Sequence, residues 1–280
     1  MRSALSTSAT WLRKEASAAL IAGLVITGAW VIAAALAPLL TPYDPIAVNV
    51  VKATLAPSAD HLLGTDSVGR DIFARVLYGA RIDLLMAVAG VIGPFLLGTL
   101  VGLLAGYSGG WLDGILMRIL EVTISFPYFV LVIAIVAIIG PGLTGYLVSL
   151  TVVNWVTYAR LVRSETLVLT NADFILAARV LGYRRRRIML RHILPNAIVS
   201  SSVFLMTDAV LTVVLGSSLG FLGLGVQPPT PEWGVMIAEG RTYLGSAWWI
   251  SLCPGIALCS LAFGLSLIAD GVAHILDPEA

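Results

Sequence analysis

The chain is 280 residues long, carries a net charge of +1, and is 58% apolar against 12% charged. Its mean hydropathy is +0.94. A soluble domain devotes about 25% of its residues to charge, so an ordinary water-facing globule is excluded. Apolar runs of about 20 residues each span a bilayer core of about 30 Å, which predicts an all-α, polytopic membrane protein.

The first apolar run, Ala16 to Leu40, follows Arg13 and Lys14. It is longer than the roughly 7–15 residues of a signal-peptide core, so it reads as an uncleaved span with a cytoplasmic N-terminus. Residues 41–81 contain Pro42, Pro45, Pro57 and charges such as Asp44, Lys52, Asp60 and Arg75, and form a hydrophilic excursion. Further runs follow at Leu84–Ala105, Ile115–Ile139, Leu143–Ala159, Ala197–Leu219 and Ala247–Ile275, giving six predicted spans. The fourth is short and carries Asn154 and Tyr158, so it is expected to face protein rather than lipid.

Orientation follows the placement of basic residues. Arg160, Arg163, Arg179, Arg184, Arg185, Arg186, Arg187 and Arg191 crowd one connection, which is therefore cytoplasmic. Counting outward, both termini are cytoplasmic, while 41–81 and 220–245 lie outside. The expected division is 1–40 for the N-terminus and first span, 41–81 outside, 82–276 for a five-helix core, and 277–280 for a cytoplasmic tail. Within the core, 163–196 is the cytoplasmic loop.

That loop is the most informative segment. Asn171 or Asp173 is placed to cap a helix. Phe174, Ile175, Ala178 and Leu181 follow at helical spacing as one apolar stripe. Ala177 and Ala178 allow close backbone approach, Gly182 supplies a left-handed terminator, and an Arg-rich helix runs into Pro195 at the start of the fifth span. An apolar stripe on the cytoplasmic side fits either a protein partner or an anionic lipid surface helped by the arginines.

The outer segments read as follows. In His61-Leu-Leu-Gly-Thr-Asp-Ser-Val-Gly-Arg-Asp71, Asp66 or Ser67 is placed to cap a helix, Gly64 and Gly69 allow tight backbone, and Arg70 can pair with Asp71. In Phe221-Leu-Gly-Leu-Gly-Val-Gln-Pro-Pro-Thr-Pro-Glu-Trp-Gly234 the prolines stiffen the loop and Trp233 suits a membrane interface. Each segment is a structural scaffold or a contact surface.

Ala177-Ala178-x-x-x-Gly182, followed by Leu194-Pro195, resembles the "EAA" loop of ABC importer permeases, with Leu176 where that family has Glu. His192-Ile-Leu-Pro-Asn196, the 61–71 segment and the Gln227-Pro228-Pro229 loop resemble the C-type subunits of dipeptide, oligopeptide and nickel importers. The ending Asp270-Gly-Val-Ala-His-Ile-Leu-Asp-Pro278 also fits. The resemblance implies type I ABC importer permease architecture in a bacterial inner membrane. It implies that Asp173, Phe174, Ala177, Ala178, Leu181, Gly182 and Pro195 belong to a coupling element that docks on an ATPase. It also implies that Gly64, Asp66, Gly69, Arg70, Asp71, Gln227, Pro228, Pro229 and Trp233 lie at an outer gate or binding-protein contact. Expected partners are a B-type permease, one or two ABC ATPases that hold ATP and Mg, an extracytoplasmic peptide-binding protein and the bilayer, with no nucleic acid.

Within the spans, an ionisable group costs roughly 3 kcal/mol or more and normally faces protein or water. Asp208 is thus a candidate for the substrate pathway or for pairing with a partner subunit; Asn154 and Tyr158 are candidates for the pathway or for helix–helix hydrogen bonds. Arg118 and Glu121 are spaced to pair on one helix face. Cys253 and Cys259 point to different helix faces, which disfavours a local disulfide or metal pair. No phosphate-binding Gly-x-x-x-x-Gly-Lys-Ser/Thr motif, catalytic set or His-based metal spacing occurs, so no enzymatic role, cofactor or metal is expected in this chain. The alternatives are nickel or another small solute as cargo, or an ion-gradient transporter, which would show several mid-membrane ion ligands and repeated broken helices.

Overall fold

A computed structural model describes the backbone of residues 2–276 and the side chains of 18–275. The expected tail at 277–280, the Asp277-Pro278 ending and the side chains of Arg2, Arg13 and Lys14 lie outside the described residues. The elements in order are α1 (Arg2–Leu40), α2 (Ile72–Ser108), α3 (Gly110–Ile124), α4 (Tyr128–Ile139), α5 (Leu143–Thr170), α6 (Asp173–Val180), α7 (Arg185–Ile188), α8 (Leu194–Phe221), α9 (Trp233–Gly240) and α10 (Trp249–Leu276). A π-helical turn, Met189–Ile193, joins α7 to α8.

Four helical stretches are long and apolar enough to cross a membrane: Ala18–Leu40, Ile72–Ser108, Arg185–Phe221 and Trp249–Ile275. The second starts well before the expected Leu84, so the last turns of the supposed excursion are helical. The expected third span, Ile115–Ile139, is not one rod. It breaks into α3 and α4 with a 92° bend. Pro127 lacks the N–H a continuing helix needs and drives Phe126 out of helical conformation, while the Ser125 hydroxyl donates to the Val122 carbonyl at 2.7 Å and ends α3. Counted as one broken span, this pair gives five. The remaining expected span falls on α5, 28 residues long but diluted by Asn154, Tyr158 and Arg160.

The chain divides into two compact units. The first comprises Met1–Val88, Ile139–Tyr146 and Met206–Ala280. Here α1 and α10 pack antiparallel at a separation only glycine permits: a Cβ on Gly23 would stand 2.7 Å from the Gly264 carbonyl oxygen, and one on Gly271 would stand 2.6 Å from Leu20 Cβ. The Trp30 indole N–H donates to Ser260 Oγ across this contact at 2.8 Å. The core gathers Ile72, Val76, Trp233, Met236, Trp249, Ile250 and Leu261. Trp30 meets Trp233 edge to face with centroids 5.0 Å apart, an arrangement worth about 1 kcal/mol beyond area burial.

The second unit comprises Ala89–Ile138 and Leu147–Leu205. The later part of α2 lies parallel to α5 along Gly98, Gly102 and Gly106. A Cβ on Gly98 would sit 2.5 Å from Tyr158 Cβ, one on Gly102 the same distance from the Ala159 carbonyl oxygen, and one on Gly106 2.8 Å from Thr166 Cβ. Lipid gives no hydrophobic drive to such a contact, so close backbone approach supplies the dispersion energy. Asp113 of α3 receives a two-pronged bond from the Arg163 guanidinium of α5, at 2.6 and 2.7 Å. Arg118 and Glu121 pair at 2.9 Å as their spacing predicts, on an exposed face.

The Gly102 contact is directly testable. Gly102→Ile forces the two helices apart at a cost on the order of 1–3 kcal/mol. The purified protein should melt several degrees lower, with Gly102→Ala intermediate; equal melting of all three proteins would contradict the packing.

Candidate functional site

The segment before α2 is organised by carboxylates. Asp66 Oδ1 accepts the backbone N–H groups of Val68 and Arg70, both at 2.9 Å, closing a turn in which Gly69 has φ +80. Asp66 and Ser67 do not cap α2. Asp71 does, its Oδ1 accepting the Ala74 N–H at 2.7 Å while Oδ2 meets His61 Nδ1 at 2.8 Å. The expected Arg70–Asp71 pair is therefore not formed, because Asp71 is already committed to the helix start and to His61. Arg70 instead donates through Nε to Asp66 at 2.6 Å and through Nη2 to Glu239 at 3.0 Å. Arg75 Nη1 donates to Asp66 and, at 2.8 Å, to Glu239.

Two guanidinium groups and two carboxylates thus form a neutral set, with the Asp66 and Arg75 side chains each 1% exposed. Burial pushes the Asp66 carboxyl up, but the Arg70 N–H and the two guanidinium groups outweigh it and hold the group below its ordinary value. Gly64, at φ +75, allows the Trp249 indole to approach: a Cβ there would stand 2.7 Å from Trp249 Nε1. That N–H donates to the Thr65 carbonyl at 3.2 Å.

The 220–245 segment has an exposed tip and a buried root. Gln227, Pro228 and Pro229 are exposed, and Gln227 folds back to donate to the Gly225 carbonyl at 2.8 Å. The Pro228–Pro229 peptide is cis. Trp233 is not an interface anchor: it is 0% exposed, and its indole N–H donates to the Val76 carbonyl at 3.0 Å. The expectation failed because an interfacial Trp and a core Trp with one polar handle look alike in sequence. Glu232 caps α9, accepting the Gly234 and Val235 N–H groups at 2.7 and 2.9 Å. Burial pushes its carboxyl up, against the lowering by those N–H groups and by Ser217. Asp83 of α2 lies beside it, accepting the Trp233 N–H at 3.3 Å.

The 61–71 and 220–245 segments, read separately in sequence, are therefore bolted together. Arg75, Asp83, Glu232 and Glu239 do most of this and were not singled out as site residues. Glu232 had a legible signal, an acid immediately before a short helix; Asp83 had none.

The 163–196 loop folds as a short helix and a turn. The N-cap of α6 is Ala172, with no side-chain cap. Asn171 donates instead to the Leu167 carbonyl at 3.1 Å, and Asp173 sits in the first turn, where its charge favours the helix dipole. At the other end the Gly182 N–H donates to the Arg179 carbonyl and the Tyr183 N–H to Ala178, both near 3.0 Å, with Gly182 at φ +75. This double bond pattern is the glycine-terminated helix end the sequence predicts.

The predicted stripe splits. Ile175 and Ala178 are buried against Leu103, Val162, Ile188, Ile193 and Ala197. Phe174, Val180 and Leu181 are instead 48%, 88% and 70% exposed, and Ala177 is exposed beside them. Burial of one face and exposure of another requires an apolar surface wider than the single stripe. Arg187 stacks over the Tyr183 ring at 4.2 Å. Pro195 does not begin a fresh helix. It sits in a continuous rod from Arg185, tolerated because the π turn immediately before it loosens the hydrogen-bond ladder.

Asp208 is buried in the first unit at 3% exposure. Tyr158 is fully buried in the second, edge to face with Phe95 and Phe204 at 5.7 and 5.1 Å, and Asn154 is half-buried on the same helix.

Removing Asp66 would leave two buried guanidinium groups sharing one partly exposed carboxylate, a loss on the order of 3–5 kcal/mol. Asp66→Ala is expected to lower melting sharply and Glu239→Gln mildly. Because the folded Asp66 carboxyl titrates lower than the unfolded one, its contribution is complete above about pH 4 and lost only as pH falls through the folded value. Equal melting losses in the two variants would contradict the network.

Residues 98–280 match the family model described as binding-protein-dependent transport system inner membrane component. The chain is 40% identical over 259 residues to the dipeptide transport system permease protein DppC of Alkalihalophilus pseudofirmus, covering 92% of this chain and 85% of that one. It is 42% identical over 223 residues to the glutathione transport system permease protein GsiD of Pectobacterium atrosepticum, covering 80% and 74%. A solved structure of the MetNI methionine ABC transporter in inward-facing form overlays with a TM-score of 0.58 at 20% identity, covering 72% of this chain and 96% of that one, a likeness of fold. Helices that suit a bilayer, the short loop helix ended by Gly182 and similarity along nearly the whole chain converge: the protein belongs to the binding-protein-dependent transport system inner membrane components, the permease subunits of ABC importers.

Proposed function

We propose that this permease forms half of a pathway for dipeptides or oligopeptides, beside a B-type permease, and that it performs no catalysis itself. The observation that carries the cargo assignment is the similarity, over 92% of the chain, to a permease named for dipeptide transport. Glutathione, the cargo in another relative's name, is also a small peptide.

In this reading both termini and the 163–196 loop face the cytoplasm, and residues 41–81 and 220–245 face outward, as the arginine cluster favours. ATP and Mg are held by one or two partner ATPases. The exposed face of Phe174, Val180 and Leu181 docks on the ATPase, and the buried face of Ile175 and Ala178 ties α6 to its own unit, so that motion of the motor is passed inward. The turn at Gly182 sets the angle between α6 and the Arg-rich rod. At the outer side, the exposed Gln227-Pro228-Pro229 tip is offered to an extracytoplasmic peptide-binding protein, and the Asp66–Arg70–Arg75–Glu239 set holds that tip's base.

Uptake of labelled dipeptide by a strain lacking the chain, restored by a plasmid copy, tests the cargo; no gain in uptake with the copy present would overturn it. Gly182→Val tests the coupling path. A β-branched residue at φ +75 is strained, although a Cβ there meets nothing within 4 Å. The variant is expected to insert normally yet lower uptake about tenfold, a loss of about 1.4 kcal/mol in coupling, while ATP hydrolysis persists. Unchanged uptake would remove α6 from the coupling path.

A further inference from the structure

The buried pair of Asp83 and Glu232 has too few donors. Both residues are 0% exposed, and among the described residues no Lys, Arg or His forms an ion pair with either. The two carboxyls are within hydrogen-bond reach of each other, and one hydroxyl stands beside both: Ser217 Oγ lies 3.4 Å from Asp83 Oδ1 and 3.2 Å from Glu232 Oε1. It has a single hydrogen and can donate to only one. With both carboxyls ionised, the other contact would set lone pair against lone pair, and two like charges would share one dry site.

The backbone donors show which group keeps its charge. Glu232 receives an N–H on each oxygen, from Gly234 on Oε1 and Val235 on Oε2. Asp83 receives only the longer bond from the Trp233 N–H, on Oδ2, leaving Oδ1 toward Ser217. We infer that Asp83 carries a proton in the working protein and shares it with the ionised Glu232 beside it, while the Ser217 hydroxyl bonds the pair. This shared proton makes Asp83 a positioning residue for Trp233 and the start of α9. The site then holds one negative charge, not two.

Other ionisable groups lie on the surrounding elements. On α9, Glu239 is taken up by Arg70 and Arg75. On α2, Arg81 donates to the Ala34 carbonyl at 2.7 Å. The Tyr146 hydroxyl at the start of α5 donates to the Thr212 carbonyl. On α8, Asp208 lies nine residues before Ser217; on α10, Cys253 is half-buried; beyond α9, Arg241 stacks over Phe221 at 5.9 Å.

Infrared spectra of the assembled transporter in lipid nanodiscs test this. The wild type should show a protonated-carboxyl stretch at neutral pH that is absent from Asp83→Asn, because an amide replaces the acid with its donor and acceptor in the same places. Ser217→Ala should keep that band but shift it, since the carboxyl pair loses the hydroxyl that bonds it. As pH is raised the wild-type band should disappear, and the amides of 233–235 should then exchange about tenfold faster than in Asp83→Asn at the same pH. An unaltered band in Asp83→Asn, or equal exchange in both proteins at high pH, would overturn the assignment.

Discussion

Hydrocarbon offers no partner to a charge or an open backbone group, and that constraint arranges everything else in this chain. The four helical stretches long and apolar enough to cross a membrane leave large apolar side chains such as Ile21, Val25, Val88 and Leu96 on their surfaces. Several charges are collected into sets that neutralise themselves. Asp66, Arg70, Arg75 and Glu239 make one such set, and Asp113 with Arg163 makes another. Inside each compact unit, helices meet through glycines because dispersion at short range is the force lipid leaves available.

Two kinds of surface result. The 61–71 and 220–245 segments are knitted by buried polar bonds that fix the base of the 220–245 loop and leave its proline tip exposed. The 163–196 loop is built the other way: α6 is anchored by Ile175 and Ala178 and shows Phe174, Val180 and Leu181 outward. A rigid root and an apolar outer face suit an element that must be gripped by another protein and must not yield when pulled. In the function proposed above, that is the demand placed on the point where α6 docks on the ATPase.

Much of this was legible in sequence because it is local. Apolar length marks the spans, the arginine cluster marks one loop, and Gly182 ends a helix for a reason confined to its own φ angle. The failures are equally specific. The 92° bend between α3 and α4 hides in an apolar run where Pro127 is the only mark. The cap of α2 is Asp71 and not Asp66, because several nearby residues can cap and only the folded turn chooses. Leu181 and Ile175 share a periodic pattern, yet the tertiary partner of α6 buries one and leaves the other exposed. Asp83 meets Glu232 across a long stretch of chain, and nothing near either residue announces the other.

The most direct measurement is a cross-link from the exposed face of α6. Leu181→Cys, with Cys253 and Cys259 replaced by Ser, should cross-link in the assembled transporter to its ATPase subunit, and should resist membrane-impermeant thiol reagents added outside intact cells. Labelling of that cysteine from outside, or its failure to reach the ATPase in a complex that still transports, would contradict the account.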